Sequence, residues 1–579
     1  MDPVTRRKWL LRGNSPEPAA VVELSRELSV PFLVARLLLS RGVSGVAAHE
    51  HIAGRLVDLP DPLLLPDMER AAGRIVKAVQ GGETLAVHGD YDVDGISGTT
   101  LLVDGLRACG ATVSYHIPLR LKDGYGLSCS ALQNAAAAGV KVVVSVDCGV
   151  SAHEEARLAG ELGLDLIITD HHQPPSGLPA AFAIVNPQRA DSDFPFRDLA
   201  GVGVAFFLLI AVRRILREAG WFATRPEPDV RTVLDLVALG TIADLVPLQG
   251  VNRTLTKVGL DLLDRGMRPG VRALKEVAGV KTVNCGVVGF QLAPRLNAAG
   301  RLEDAARGVE LLLEQDHASA LETARMLDRF NRDRQQIEAR TVEDVLAMVA
   351  ELPPERTHSI VMARDDWHSG VIGIVASRLV EKFYRPTILI AMDGEGGKGS
   401  GRSIRGLHLY RALQECSAHL LAFGGHEMAA GLSVSRDQLE SFVQKFEQTA
   451  RGLLSEDDLV PVLPYDGVEL LDEFNMHQVK ALEALAPFGI GNPEPVMLVE
   501  KVRARQLQRA GEGHLRFIVC QGGETLPAIA FGMLERQAEF QGDLDLLVSP
   551  QINRYNGRET VQLRVRDVRT SSQPPVPSP

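Results

Sequence analysis

The stretch HGDYDVDG, His88 to Gly95, places three aspartates at alternate positions behind a histidine and ahead of a glycine. Like charge crowded into so few residues asks for a counter-charge, and divalent cations supply one. An EF-hand calcium loop would use Asp90, Asp92, Asp94 and Gly95, but it needs a bidentate glutamate at its twelfth position. Counted from Asp90, that position is Leu101, and the preceding TLAVHG reads as a short buried strand rather than a helix. The same residue types recur further on: Asp147 closes SVD, Asp170, His171 and His172 close TDHH, and Asp244 stands in VALGTIADLVP. Carboxylate mixed with imidazole, without thiolate, suits Mn²⁺ or Mg²⁺ better than structural zinc. Taken singly, an aspartate at a strand end is more often a helix cap or a turn residue. Three strand ends that each carry Asp or His argue instead for one site holding two ions.

These side chains need a scaffold that brings them together. From about residue 66 to 190 short apolar runs alternate with helical stretches: TLAVHGD, ATVSYHIP, VKVVVSVD, LDLIITD and AFAIVNP are separated by sequences such as GTTLLVDGLRACG and SAHEEARLAGEL. Val/Ile-rich runs between helices indicate a parallel, doubly wound sheet. In such sheets ligands bind beyond the carboxyl ends of the strands, where His88, Asp92, Asp94, Asp147, Asp170, His171 and His172 all fall. Mostly helical sequence then leads to a Gly- and Pro-free stretch ending at Leu352, which reads as a connecting helix. A second α/β unit begins near HSIVMARDDW, and after SEDDLVP the chain turns to strands with a hairpin signal in RYNGRE, the pattern of a small β-barrel. The expected divisions are 1–65 (N-terminal extension), 66–318 (catalytic α/β domain), 319–352 (connecting helix), 353–455 (second α/β domain), 456–570 (barrel) and 571–579 (disordered tail).

With 579 residues, 45% hydrophobic and 23% charged, the chain has the composition of a multidomain globular protein. No apolar run reaches membrane-spanning length, and MDPVTRRKWLLRG lacks the apolar stretch of a signal peptide. Six scattered cysteines without a CxxC pair fit a reducing compartment, so a cytoplasmic location with no membrane association is expected. A net charge of −11 gives no general attraction to nucleic acid, so basic clusters and bound cations would have to attract a polyanion locally.

At DHH, Asp170 to His172, the chain resembles the DHH phosphoesterase superfamily, and its length and domain order resemble the bacterial single-strand-specific exonucleases within it. The motifs that carry the resemblance are GDYDVDG, YHIPLRLKDGYGL, SVDCG, TDHH, GTIADLVPL, RLNAAGR, WHSGVIGIVASRL and FGGHEMAAG, and they span nearly the whole chain. The resemblance implies a parallel-sheet DHH domain, a connecting helix, a DHH-associated α/β domain and a C-terminal OB-fold. It implies metal ligation by His88, Asp92, Asp94, Asp147, His171 and Asp244, with Asp147 bridging two Mn²⁺ or Mg²⁺ ions. His172, Asp147 and Asp94 would stand nearest the chemistry, with His172 donating to the phosphate or the leaving group, and Asp90 and Asp170 orienting the ligands.

GKGSGRSIRG is not a P-loop, because Gly399 follows Lys398 where Ser or Thr is required. It reads instead as phosphate capture by backbone amides and arginines. Ser403, Arg405, Gly424, Gly425 and His426, with His368 of WHSG, would grip a terminal phosphate; Arg120, Arg295, Asn297 and Arg301 would take backbone phosphates. In the barrel, KVRARQLQR and Arg554, Arg558, Arg564, Arg566 and Arg569 read as a basic track for a single strand. The implied activity is 5′ to 3′ hydrolysis of single-stranded DNA to mononucleotides in repair and recombination. The enzyme would be a monomer, with a single-strand binding protein and a helicase as partners. Two other classes stay open at this point, a DHH phosphoesterase of small substrates and a non-catalytic DHH replication scaffold. The barrel argues against the first and the intact ligand set against the second.

Overall fold

The Val/Ile-rich runs become five parallel strands in the computed structural model, which describes residues 7–119, 126–352, 358–555 and 557–571. They are β1 (Thr84–Gly89), β2 (Thr112–His116), β3 (Val142–Val146), β4 (Asp165–Thr169) and β5 (Ala183–Val185), in the order β2-β1-β3-β4-β5. Alternation along each strand feeds two cores. Leu85, Val87, Val142, Val144 and Val146 pack with the helices Met68–Gly81, Val93–Ala108 and Gly201–Glu218. Ala86, Val143, Leu166 and Ile168 pack with Leu132, Ala156 and Ala159 on the other face. Full burial of each such Val, Leu or Ile contributes about 1.5–3 kcal/mol, which holds the strand ends rigidly in register.

The chain forms two compact units. One joins Gly13–Asn331 with Val468–Ser571, and the other joins Arg332–Gly467 with the segment ending at Arg12. The division falls inside the 34-residue helix His317–Ala350. In the second unit β6 (Ile360–Arg364), β7 (Thr387–Asp393), β8 (Gly396–Arg402), β9 (Ala422–Gly425) and β10 (Ala429–Ser435) form a mixed sheet ordered β9-β10-β8-β7-β6. Strand Lys8–Leu11 pairs in parallel with Val462–Tyr465 in the same unit, and Arg12 bridges to Asp466 at 2.8 Å.

The remaining strands, β11 (Met497–Ala510), β12 (His514–Gln521), β13 (Glu524–Ala530), β14 (Leu544–Tyr555) and β15 (Arg558–Thr570), form a barrel that the β11–β14 pairing closes. Its core is shared. Leu33, Val34, Leu37 and Leu38 of helix Phe32–Ser40 are at most 2% exposed and pack with barrel residues such as Val499, Phe517 and Val548. The N-terminal extension therefore completes the barrel core, a contact across more than 400 residues that no local pattern announces. Arg253, 1% exposed, donates to the carbonyls of His51 (2.9 Å), Ala484 (3.0 Å) and Leu485 (2.9 Å), tying three distant segments together. Among the described residues no helix is long and apolar enough to cross a membrane.

Candidate metal centre

Strand register alone sets three aspartates side by side. Gly89 pairs with Val146, and Val146 with Thr169, so Asp90, Asp147 and Asp170 each stand one residue past the end of β1, β3 and β4. The amide of Asp147 donates to the carbonyl of Thr169 at 3.0 Å, carrying the alignment one residue beyond the sheet. In the order β2-β1-β3-β4-β5 the winding reverses between β1 and β3, the switch point where open α/β sheets leave a crevice.

Asp92 and Asp94 are placed by helices. One oxygen of Asp92 caps helix Val93–Ala108, accepting from the amides of Asp94 (2.9 Å) and Gly95 (3.1 Å). Buried Asp94 accepts from the amides of Gly201 (2.6 Å) and Val202 (2.9 Å) at the start of helix Gly201–Glu218. Gly201 also lets Asp147 come close, since a Cβ there would lie 2.7 Å from the Cβ of Asp147. Asp147 itself is in the left-handed region at φ +63°, a strained position for a residue with a side chain.

The ligand-type atoms converge. His171 Nε2 lies 3.0 Å from Asp147 Oδ1, 3.5 Å from Asp244 Oδ2 and 3.9 Å from Asp94 Oδ2. Three sets have ligand atoms within 4.8 Å of one another: Asp90, Asp92 and Asp147; Asp94, His171 and Asp244; and Asp147, His171 and His172. The buried atoms His171 Nε2 and Asp244 Oδ2 have no hydrogen-bond partner. Neighbouring sets that share Asp147, made of carboxylate and imidazole, fit a pair of hard divalent cations.

Electrostatics tell the same story. Burial, then the charges of Asp94, Asp92, Asp244 and Asp90, push the Asp147 carboxyl well above its ordinary value. Burial and the charges of Asp94 and Asp92 push Asp244 up to about 9. Asp94 rises to about 7 through burial and Asp92, although the amides of Val202 and Gly201 pull it down. His171 falls to about 4, through burial first and the charge of His172 second. Without cations, this edge is held together by protons on its acids. Asp170 differs: against the cost of burial, the hydrogen bond and charge of His172 hold it below the usual carboxylate range. It accepts from His172 Nδ1 at 2.7 Å and from the amides of His171 (2.7 Å), His172 (3.1 Å) and Val150 (2.8 Å). Asp170 thus orients its neighbours, and despite the burial penalty it raises the pKa of His172.

Other expected site residues are placed less uniformly. His88 lies at the same sheet edge but outside the three sets; its Nε2 is 3.1 Å from the carbonyl of Gly126, and its ring centroid is 5.0 Å from that of His116. Asp90, expected to orient ligands, joins Asp92 and Asp147 as a potential ligand. Its position one past β1, like that of Asp147 past β3, was the signal. Helix Ala293–Leu302, bearing Arg295, Asn297 and Arg301, sits against the acidic loop, where a Cβ on Gly300 would lie 2.8 Å from the carbonyl oxygen of Tyr91. Arg295 is engaged by Asp328 (2.9 Å) and the carbonyl of Gln291 (2.6 Å). Arg120 lies outside the described residues.

In the second unit Ser403 is buried and donates its hydroxyl to the carbonyl of Leu407 (2.7 Å) and its amide to that of Met428 (2.9 Å). Arg405, Gly424, Gly425 and His426 are exposed around it. His368 accepts from the amide of Gly370 (3.1 Å) ahead of helix Ile372–Phe383, whose Gly373 lies against Ser400 and Arg402. The expectation that the amides of GKGSGR capture phosphate fails. Gly396–Arg402 is the central strand β8, paired on both sides, and its glycines make room for Met392, Leu432 and Leu409. The basic track of the barrel is neutralised in part, because Arg503, Arg554, Arg566 and Arg569 pair with Asp543, Glu559, Glu494 and Asp545.

Comparison with known proteins covers the same three regions. Residues 84–241 match the DHH family N-terminal domain, 356–452 the DHHA1 domain and 465–567 the RecJ OB domain. The single-stranded-DNA-specific exonuclease RecJ of Dickeya dadantii is 40% identical over 566 residues, covering 95% of this chain and 97% of the relative. The crystal structure of Thermus thermophilus RecJ in complex with Mn²⁺ superposes with a TM-score of 0.83 at 32% identity, over 97% of this chain and 79% of that one. The Mg²⁺ complex from the same organism gives 0.76 at 30%, over 97% and 78%.

Proposed function

The chain belongs to the RecJ family of single-stranded-DNA-specific exonucleases, and on that premise we propose that it degrades single-stranded DNA from the 5′ end to mononucleotides, in DNA repair and recombination. The observation that carries the reading is the edge of β1, β3 and β4, where Asp90, Asp92, Asp94, Asp147, His171 and Asp244 converge with acids whose mutual repulsion only cations or protons relieve. Two Mn²⁺ or Mg²⁺ ions, when bound, supply an activated water and neutralise charge on the phosphoryl oxygens. Asp147 would serve both ions, while the amides of Gly201 and Val202 hold Asp94 in place. Because Asp170 occupies Nδ1 of His172 and raises its pKa, His172 would present its proton from Nε2 to a phosphate oxygen or to the leaving group. His88 would complete the ligand set. Asn297 and Arg301, on the helix seated against Tyr91, would hold the phosphate backbone beside the reacting bond, and Arg120 and Arg295 would extend that contact.

In the second unit Arg405, with Gly424, Gly425 and His426 around buried Ser403 and with His368, would take the terminal phosphate by charge-assisted hydrogen bonds. The enzyme would work as a cytoplasmic monomer beside a helicase and a single-strand binding protein. The test is incubation with end-labelled single- and double-stranded DNA and RNA, with and without Mn²⁺. Metal-dependent release of mononucleotides from the 5′ end of single-stranded DNA is expected. Equal degradation of duplex, or cleavage in chelator, would sink the proposal.

A further inference from the structure

Asp94, His171 and Asp244 form one of the three sets of ligand-type residues, and two segments bring it together. The first, residues 198–202, reaches two members of the set. The backbone of Leu199 hydrogen-bonds the His171 ring, and the amides of Gly201 and Val202 hold Asp94 at 2.6 and 2.9 Å. The second carries Asp244 itself, where helix Leu234–Ala243 ends, and runs on to Leu248. Leu245, next to Asp244, is in the left-handed region at φ +63°, a strained conformation for leucine that persists only where its surroundings enforce it.

Asn252 joins the two segments. It is fully buried in the first turn of helix Gly250–Arg265, and its Nδ2 donates to the carbonyls of Asp198 (2.5 Å) and Pro247 (3.1 Å). Its Oδ1 is buried too and has no hydrogen-bond partner. An unpaired buried acceptor costs stability, and a leucine of similar size would spare that cost, so packing alone does not call for an amide here. What only the amide supplies is a two-pronged donor that reaches both segments. A turn at residues 489–492, just ahead of the barrel, braces the second segment again. The amide of Leu248 donates to the carbonyl of Ile490 and Gln249 Nε2 to that of Gly491, both at 2.7 Å, and a Cβ on Gly491 would lie 3.0 Å from the Cβ of Pro247. The turn is itself fixed by buried Asn492, which donates to the carbonyls of Leu485 and Pro487 at 2.8 Å.

We infer that Asn252 is a positioning residue of the metal centre: by clamping the carbonyls of Asp198 and Pro247 it sets Asp244 against Asp94 and His171, and the turn at 489–492 steadies the clamp. The inference rests on the reading of the acidic edge as a two-ion site and adds what fixes the geometry of one of its sets. A residue that orients metal ligands acts through affinity, and its loss costs about 10–100-fold in metal binding although every ligand remains. Asp90, Asp92 and Asp147 are placed instead by strand register and a helix cap, so the two ions should respond differently.

Full-length wild type, Asn252→Leu, Gln249→Ala and Asp244→Ala are titrated with Mn²⁺ by calorimetry, and their unfolding is followed in chelator. Wild type should bind two equivalents, and Asp244→Ala identifies the one that belongs with Asp94 and His171. Asn252→Leu should bind that equivalent about 10–100-fold more weakly and the other as wild type does. Gln249→Ala removes only an exposed contact; it should weaken the same equivalent about threefold and unfold as wild type does. It decides alone if Asn252→Leu does not fold. Excess Mn²⁺ should restore hydrolysis to Asn252→Leu but not to Asp244→Ala, since the first keeps every ligand. Wild-type affinity in every folded variant other than Asp244→Ala, or an equal loss at both equivalents, overturns the clamp and leaves the two-ion reading standing. A wild type that binds no Mn²⁺ overturns both.

Discussion

Asp147→Asn should separate the two jobs of the acidic edge. The exchange keeps the side-chain volume beside Gly201 and suits the left-handed backbone at φ +63°, which asparagine tolerates well. In the metal-free protein the Asp147 carboxyl is held well above its unfolded value of 3.8, so the native state keeps a proton that the unfolded chain has released. The stability this group contributes is complete below the unfolded pKa and is lost as pH rises toward the folded one. Each pH unit in that window costs the wild type about 1.4 kcal/mol per proton held. Asparagine cannot titrate. In chelator, the stability of Asp147→Asn relative to wild type should therefore grow by about 1.4 kcal/mol per pH unit above the unfolded value, until the native carboxyl itself ionises. Saturating Mn²⁺ should stabilise wild type by about 3 kcal/mol at a hundredfold excess over its dissociation constant, and the variant far less. Hydrolysis by the variant should fall at least ~10³-fold, since no other residue would serve both of the ions that supply the activated water. Denaturant unfolding across the pH series, with and without Mn²⁺, gives all the stability numbers. Parallel pH profiles for the two proteins, with equal stabilisation by Mn²⁺, would refute the reasoning and reduce Asp147 to a structural residue.

Three further substitutions test other parts of the assembly. Asp170→Asn removes the partner that raises the pKa of His172, so the alkaline limb of the pH–rate profile should move to lower pH; an unmoved limb would show that His172 is not the proton donor. Arg405→Ala should cost about 1.5–3 kcal/mol of the preference for a 5′-phosphate over a 5′-hydroxyl end, read as the ratio of their affinities, with cleavage at saturation less affected. Arg253→Met leaves the carbonyls of His51, Ala484 and Leu485 without their buried donor and should cost about 3 kcal/mol or more in denaturant unfolding.

The parallel sheet and the acidic edge were legible because period-2 burial on both faces leaves long Val/Ile runs, and because functional acids follow those runs directly. What local sequence could not carry is register: spacing does not say that Gly89, Val146 and Thr169 lie level, and that alignment makes Asp90 a potential ligand. GKGSGR was misread for a related reason. A glycine admits a phosphate and a neighbouring Leu432 side chain equally well, and only the sheet order decides between them. The barrel arginines look alike in sequence, yet Glu494, which neutralises Arg566, lies 72 residues away. Arg253 gave no signal, since a lone arginine in a helix normally belongs to the solvent-facing side.

The shared core between helix Phe32–Ser40 and the barrel has a consequence for biosynthesis. Leu33, Val34, Leu37 and Leu38 leave the ribosome first, but the strands that cover them begin at Met497 and end at Thr570. At about 5–20 residues per second this apolar helix stays uncovered for about half a minute or longer while the catalytic sheet folds between. The nascent chain is then a natural client for a holding chaperone, and a message cut short before the barrel yields a product with an uncovered leucine-rich helix. Faulty transcripts would thereby mark their own products for removal, whatever the state of their acidic edge.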